Sequence, residues 1–212
     1  GANAQVLTVN LKPGQQVVAE PGAMMFKSDN IKSSVECGSC QRSCVGETIC
    51  KGVHVNKGAD EGFIGLTPDF PAKVVPINLG QHSGKIITKG GAWMGNIGDV
   101  RVSLDCDCNP CTCCCGGMGL VRQTAVGTGT VFLAAGGTVL TRKLGANDSI
   151  IVDTNSLLGY EDGVTLKIKK AGGCCTMCCG GEGLFNTKVK GPGLVIVQSM
   201  AFETYKAALI PP

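Results

Sequence analysis

The chain has 212 residues, of which 17% are charged and 4% aromatic, with a net charge of +3, 32 glycines and 14 cysteines. This length suits one large β domain or two small ones, and the glycine, valine and threonine content is that of a turn-rich β protein. The lysines are scattered singly, with no basic block and no interleaved aromatics, which argues against a dedicated nucleic-acid surface.

The chain opens as "GANAQVLTV", with no initiator Met and no apolar leader core. The expectation is that a leader has been removed or that the chain starts inside a longer one. From Leu11 to Met25 runs "LKPGQQVVAEPGAMM": a leucine, a polar turn, an apolar strand, a second turn, then a small residue and two large apolar ones. The same phrase returns as "LGQHSGKIITKGGAWM" (79–94), with one extra residue, and as "LGANDSIIVDTNSLL" (144–158), without a gap. Behind each phrase comes a tight group of cysteines, then "GETIC" (46–50), "GMGLV" (117–121) or "GEGLF" (181–185), and then a strand-like stretch. The second and third copies continue through Gly-x-Gly into apolar strands, "GTGTVFL" (127–133) and "GPGLVIV" (191–197). Short segments such as "VRVSL", "SIIVD" and "VTLKIKK" alternate with glycine-bearing turns at the spacing of an all-β sandwich or barrel. The long uncharged run from Gln123 to Thr141 holds four glycines and five threonines, so it reads as buried strands and a turn rather than a spanning helix. "AFETYKAAL" (201–209) carries the one helical spacing, a short terminal helix or one more strand.

Two separate phrases recur in the same order, so the chain reads as a tandem triplication. The expected architecture is a single all-β domain over residues 1–212. It comprises three related β-sandwich-like lobes with pseudo-threefold symmetry, about 11–78, 79–143 and 144–201, and a short tail at 202–212. One unit cannot cover both faces of its sheet, whereas three in tandem can.

The segments "EPGAMMF" (20–26), "GFIGLTPDFPAKVVPINL" (62–79), "GGAWM" (90–94), "CCGGMGLVRQTAVGTGTVFLAAGGTV" (114–139), "IIVDTNSLLGYEDGV" (150–164) and "GGEGLFNTKVKGPGLVIVQS" (180–199) resemble the altered-inheritance-of-mitochondria family, within the superfamily resembling the tryptophan RNA-binding attenuation protein. The resemblance covers nearly the whole chain. It implies an all-β body of three related lobes, often assembled into trimers, a link to mitochondrial organisation, and no established catalytic activity. RNA binding belongs to a fold relative and is not carried over, because this chain lacks a basic, aromatic-lined groove. The cysteine groups depart from the family pattern, which needs the glycines there but not the thiols.

Those groups are Cys37, Cys40, Cys44 and Cys50; Cys106, Cys108, Cys111, Cys113, Cys114 and Cys115; and Cys174, Cys175, Cys178 and Cys179. Cys37 with Cys40, Cys108 with Cys111, and Cys175 with Cys178 are CxxC pairs, and two such pairs can make a tetrahedral zinc site. Adjacent thiols such as Cys113 to Cys115 are awkward ligands for one ion. Structural disulfides, zinc or another thiophilic ion, and free thiols all stay open. A catalytic thiol needs a base, and His54 and His82 lie in other stretches.

Enzyme motifs fail on inspection. "GQHSGK" (80–85) is one residue short of a phosphate-binding loop and is followed by Ile86, and "GTGTVF" lacks the third glycine of a dinucleotide loop. Glu47 and Glu182 match in position but Met118 takes the third place, so a turn-bonding role outweighs acid–base work. Glu20 and Asp153 match as strand-end residues, Trp93 matches Met24 and Leu157 as core, and "NDS" (147–149) is a glycosylation sequon that matters only in a secreted chain. The expectation is therefore a protein with no catalytic residues and no cofactor other than possible zinc. It self-associates through its β lobes into a trimer, ring or filament, its cysteines hardening loops or contacts. It has no nucleic-acid partner and no transmembrane segment. The alternative is a Cys-cluster metal-binding or redox module. The compartment is open: cytoplasmic or mitochondrial by resemblance, extracellular if the cysteines are disulfides.

Overall fold

A computed structural model describes residues 4–37, 50–106, 121–170 and 185–209. The chain forms β1 (Leu7–Leu11), β2 (Gln16–Ala19), β3 (Met24–Lys27), β4 (Ile31–Cys37), β5 (Cys50–Asn56) and β6 (Gly62–Leu66). Next come β7 (Lys73–Asn78), β8 (Lys85–Lys89), β9 (Trp93–Ile97), β10 (Val100–Cys106), β11 (Val121–Gly127) and β12 (Thr130–Ala135). The last six are β13 (Val139–Leu144), β14 (Ser149–Asp153), β15 (Leu157–Glu161), β16 (Thr165–Lys170), β17 (Phe185–Lys190) and β18 (Gly193–Gln198), followed by helix α1 (Phe202–Leu209). The all-β expectation holds, and the ambiguous terminal segment is a helix. The uncharged run from Gln123 to Thr141 becomes most of β11, all of β12 and the start of β13.

The strands form four antiparallel sheets, ordered β1-β6-β3, β4-β5-β2-β9-β12-β7, β10-β11-β8-β15-β18-β13 and β14-β17-β16. The pairing rule has a period of six strands. The first and third strands of each set flank the sixth: β1 and β3 on β6, β7 and β9 on β12, β13 and β15 on β18. The second and fourth flank the fifth: β2 and β4 on β5, β8 and β10 on β11, β14 and β16 on β17. Each set is then joined to the next by its second strand, β2 to β9 and β8 to β15. Counted by pairing, the units begin at β1, β7 and β13, and Leu11 and Leu144, which open the repeated phrase, close the first strand of their units.

This sharing explains a feature of the sequence. A sheet with one wet face alternates apolar and polar residues, whereas a strand covered on both faces is apolar throughout. Val17 and Ala19 of β2 pack in a first core with Leu11, Ile64, Leu66, Met94 and Phe132, while Val18 between them packs against a second. In β8, Ile86 belongs to that second core, with Trp93, Leu133, Leu158 and Ile196, and Ile87 packs against a third built on Leu157, Tyr160, Val189 and Val195. The six-stranded sheets are thus walls between neighbouring cores.

The turn after the second strand uses two solutions. In the first two units it closes with backbone bonds, Ala23 N to Glu20 O at 3.1 Å and Ala92 N to Lys89 O at 3.2 Å, and Gly22 and Gly91 take φ of +90° and +73°, which only glycine adopts readily. The third unit has Asn155 there. Its turn is a short 3-10 helix, Thr154–Ser156, capped by the Asp153 carboxylate, which accepts from Asn155 N at 3.0 Å.

Candidate functional site

The turns of the first two units border a cavity of about 170 Å³. Glu20 and Lys89–Ala92 line one side, the segment Thr67–Phe70 after β6 another, and Phe202 and Glu203 of α1 a third; Met94, Ala134 and Leu158 supply its apolar part. Helix α1 is held there by its aromatic residues, with Phe202 at 5.2 Å and Tyr205 at 6.5 Å from the Phe70 ring. The last unit thereby reaches a loop of the first.

Lys89 is the cavity's cation. Burial pushes its pKa down, and the carboxylates of Glu203 and Asp153 pull it partly back. Glu20, Lys89 and Asp153 are the same position of three units, the residue that follows or ends the second strand. Glu20 and Asp153 were legible as a matched pair, and Lys89 stands at the same place in the same phrase. Phe70 and Glu203 carry no sequence signal, because only the tertiary path brings them in. Aromatic faces and charged side chains can hold a small ligand here or simply tie α1 to the segment after β6.

The two histidines are placed apart from it. His54, buried in β5, has Nδ1 2.8 Å from Ser33 Oγ, and burial followed by the Lys27 charge lowers its pKa. His82 meets Glu161 at 2.9 Å, and Glu161 also accepts from Leu194 N at 2.6 Å.

Cys37 and Cys50 are joined by a disulfide of 2.10 Å between directly opposed ends of β4 and β5. In that state Cys37 offers no thiolate to a metal beside Cys40. The positions opposed in the same way in the other units are Cys106 with Val121 and Lys170 with Phe185, so this staple is not repeated. Cys40, Cys44, Cys108, Cys111, Cys113, Cys114, Cys115, Cys174, Cys175, Cys178 and Cys179 lie outside the described residues. All three groups fall in one connection of the unit, between its fourth and fifth strands. Among the described residues no cluster of His, Cys, Asp or Glu makes a metal site, and no helix is long and apolar enough to cross a membrane.

Comparison with known proteins adds a family and a fold. The sequence matches the mitochondrial biogenesis AIM24 family over residues 1–200. The chain belongs to that family. No curated protein matches it. A crystal structure of a Streptococcus pyogenes protein is similar, at 20% identity and a TM-score of 0.74, over 98% of this chain and 94% of that one. At that identity the likeness shows the shared fold.

Proposed function

We propose that this AIM24-family protein is a non-enzymatic structural or scaffold protein that self-associates through its β units into a trimer or larger assembly. The observation that carries this is the apolar surface left on the strands: Met24, Met25, Phe26, Phe63, Ile151, Val35 and Leu140 are all exposed in the single chain. With only 17% of residues charged, such a surface suits contact with another copy rather than water. The family's description, mitochondrial biogenesis, is compatible with a part that holds shape. Native mass across a dilution series tests this: an assembly at micromolar concentration supports it, and a monomer at every concentration removes it.

A second reading is favoured by one observation, the placement of every cysteine group in the same connection of each unit. It is a metal-binding or redox module of zinc type. Elemental analysis with thiol counting decides it. A stoichiometric thiophilic metal supports the module, whereas metal-free protein with all thiols oxidised leaves the cysteines as structural staples.

A further inference from the structure

We propose that the cavity between the first two units and helix α1 is a binding site for a small zwitterion, an amino acid with an apolar side chain. Lys89 and Gln198 take its carboxylate, and Asp69 and Glu203 take its ammonium group. Every residue of the site comes from one chain, so the proposal stands whether or not copies associate.

Size limits the ligand first. The cavity holds about 170 Å³. A dry apolar cavity of ~150 Å³ takes one benzene molecule, and sites for drug-sized ligands begin at roughly 300 Å³. One amino acid is of the right size, and a nucleotide is too large.

Two donors in the wall lack acceptors. Gln198 lines the cavity and is only 4% exposed. Its Oε1 accepts from Gly136 N at 3.0 Å, and its amide N–H groups meet no acceptor among the described residues. A buried amide that has given up water is nearly always hydrogen-bonded in a folded protein, so these N–H groups call for a ligand oxygen. Lys89 is the second donor. It ends β8, half-buried, where burial disfavours its charged form. Glu203 and Asp153 act on it through space, but neither reaches ion-pair distance, and Asp153 already accepts from Asn155 N. A carboxylate placed against Lys89 gains a charge-assisted hydrogen bond that water screens only in part.

The acidic groups decide between an anion and a zwitterion. Asp69, in the segment after β6, and Glu203, in the first turn of α1, both line the cavity and are both exposed. Among the described residues neither carboxylate is held by a hydrogen bond or a contact ion pair. With Glu20, the lining carries three carboxylates against one ammonium group. A plain carboxylate gains Lys89 and Gln198 but meets this excess of negative charge. A plain amine gains the acids but is repelled by Lys89. A molecule with both charges sets each against its opposite. Between the charged groups the wall is apolar: Met94, Ala134 and Leu158 are buried, and the Phe70 and Phe202 rings lie 5.2 Å apart beside them. Those faces suit an aliphatic or aromatic side chain and favour a nearby ammonium.

The chain carries its own reporter. Trp93 is the only tryptophan, and its neighbours Ala92 and Met94 both line the cavity. The test is titration calorimetry with Trp93 fluorescence alongside, using L-valine, L-leucine, L-methionine and L-phenylalanine at up to millimolar concentration. Isocaproate, which is leucine without its ammonium, and isoamylamine, which is leucine without its carboxylate, are the controls. Leucine is expected to bind at least about tenfold more tightly than either control. Lys89→Met removes its advantage over isoamylamine, and the double variant Asp69→Asn with Glu203→Gln removes its advantage over isocaproate. Both acidic positions are exposed, so the double variant keeps the fold and the test holds even if Lys89→Met does not fold. A control that binds the wild type as tightly as leucine overturns the zwitterion assignment. Wild type that gives neither heat nor a fluorescence change with any of the four amino acids overturns the site.

Discussion

The β2–β9 and β8–β15 junctions share a backbone register and differ in every side chain that seals them. At the first, Lys51 of β5 crosses into the second unit, its Nζ 5.4 Å over the Trp93 ring and donating to Val102 O at 3.2 Å. At the second, the residue aligned with Lys51 is Arg122, whose Nη1 lies 3.4 Å from Tyr160 Oη, and the His82–Glu161 contact and the Lys85–Asp162 ion pair flank the strands. One junction relies on a buried indole under a cation, the other on a polar network. Main-chain pairing therefore fixes where units meet, while the filling is free to vary so long as its volume and hydrogen bonds are satisfied.

If the indole dominates the first junction, Trp93→Ala is the most damaging single change, costing about 3–5 kcal/mol in chemical denaturation. A cost near that of a surface substitution would show that the junction is held by its backbone alone. The glycines come next. Gly95→Ala pushes a Cβ to 2.8 Å from a main-chain oxygen and Gly159→Ala to 3.0 Å, so both destabilise, Gly95 more, by about 1–3 kcal/mol. Equal values would mean that the two registers relax alike. In the polar junction Glu161→Ala leaves the Leu194 amide without its acceptor and costs about 1–3 kcal/mol.

A pH series separates the first unit from the others. His54 occupies the place that Ala125 and Val189 take in the second and third, and its folded pKa lies below the ordinary 6.5. The unfolded chain therefore binds its proton first. Stability from this site is complete above about pH 6.5 and falls as pH drops from there toward the folded value. His54→Val removes that slope between pH 7 and 5, measured as the midpoint of urea unfolding. The smallest effect belongs to Lys85→Ala, less than about 0.5 kcal/mol, because the Lys85–Asp162 pair is open to solvent.

Much of the strand plan is written in the repeated phrases, because period-two patterning and glycine turns are local signals. "VVA", "KIIT" and "SIIV" were legible as strands, but not that β2 and β8 would each border two cores. The sequence did not say which strand of the next unit would lie beside them, since pairing between residues 17 and 97 is non-local and depends on shape. In the cavity, Lys89 could have been found by extending the match of Glu20 and Asp153, whereas Phe70 and Glu203 come from segments far apart in the sequence. The cysteines were legible as three equivalent groups. That Cys37 pairs with Cys50 and not with Cys40 follows from strand register, which spacing does not reveal.

Because each six-stranded wall borders two cores, no unit owns its own stability. Melting β8 would bare Ile86 to water on one side and Ile87 on the other, so damage in the middle is felt in both neighbours at once. A string of beads can lose one bead and keep the rest. This chain is built to come apart as a whole, in a single sharp transition whose steepness reflects all its strands together.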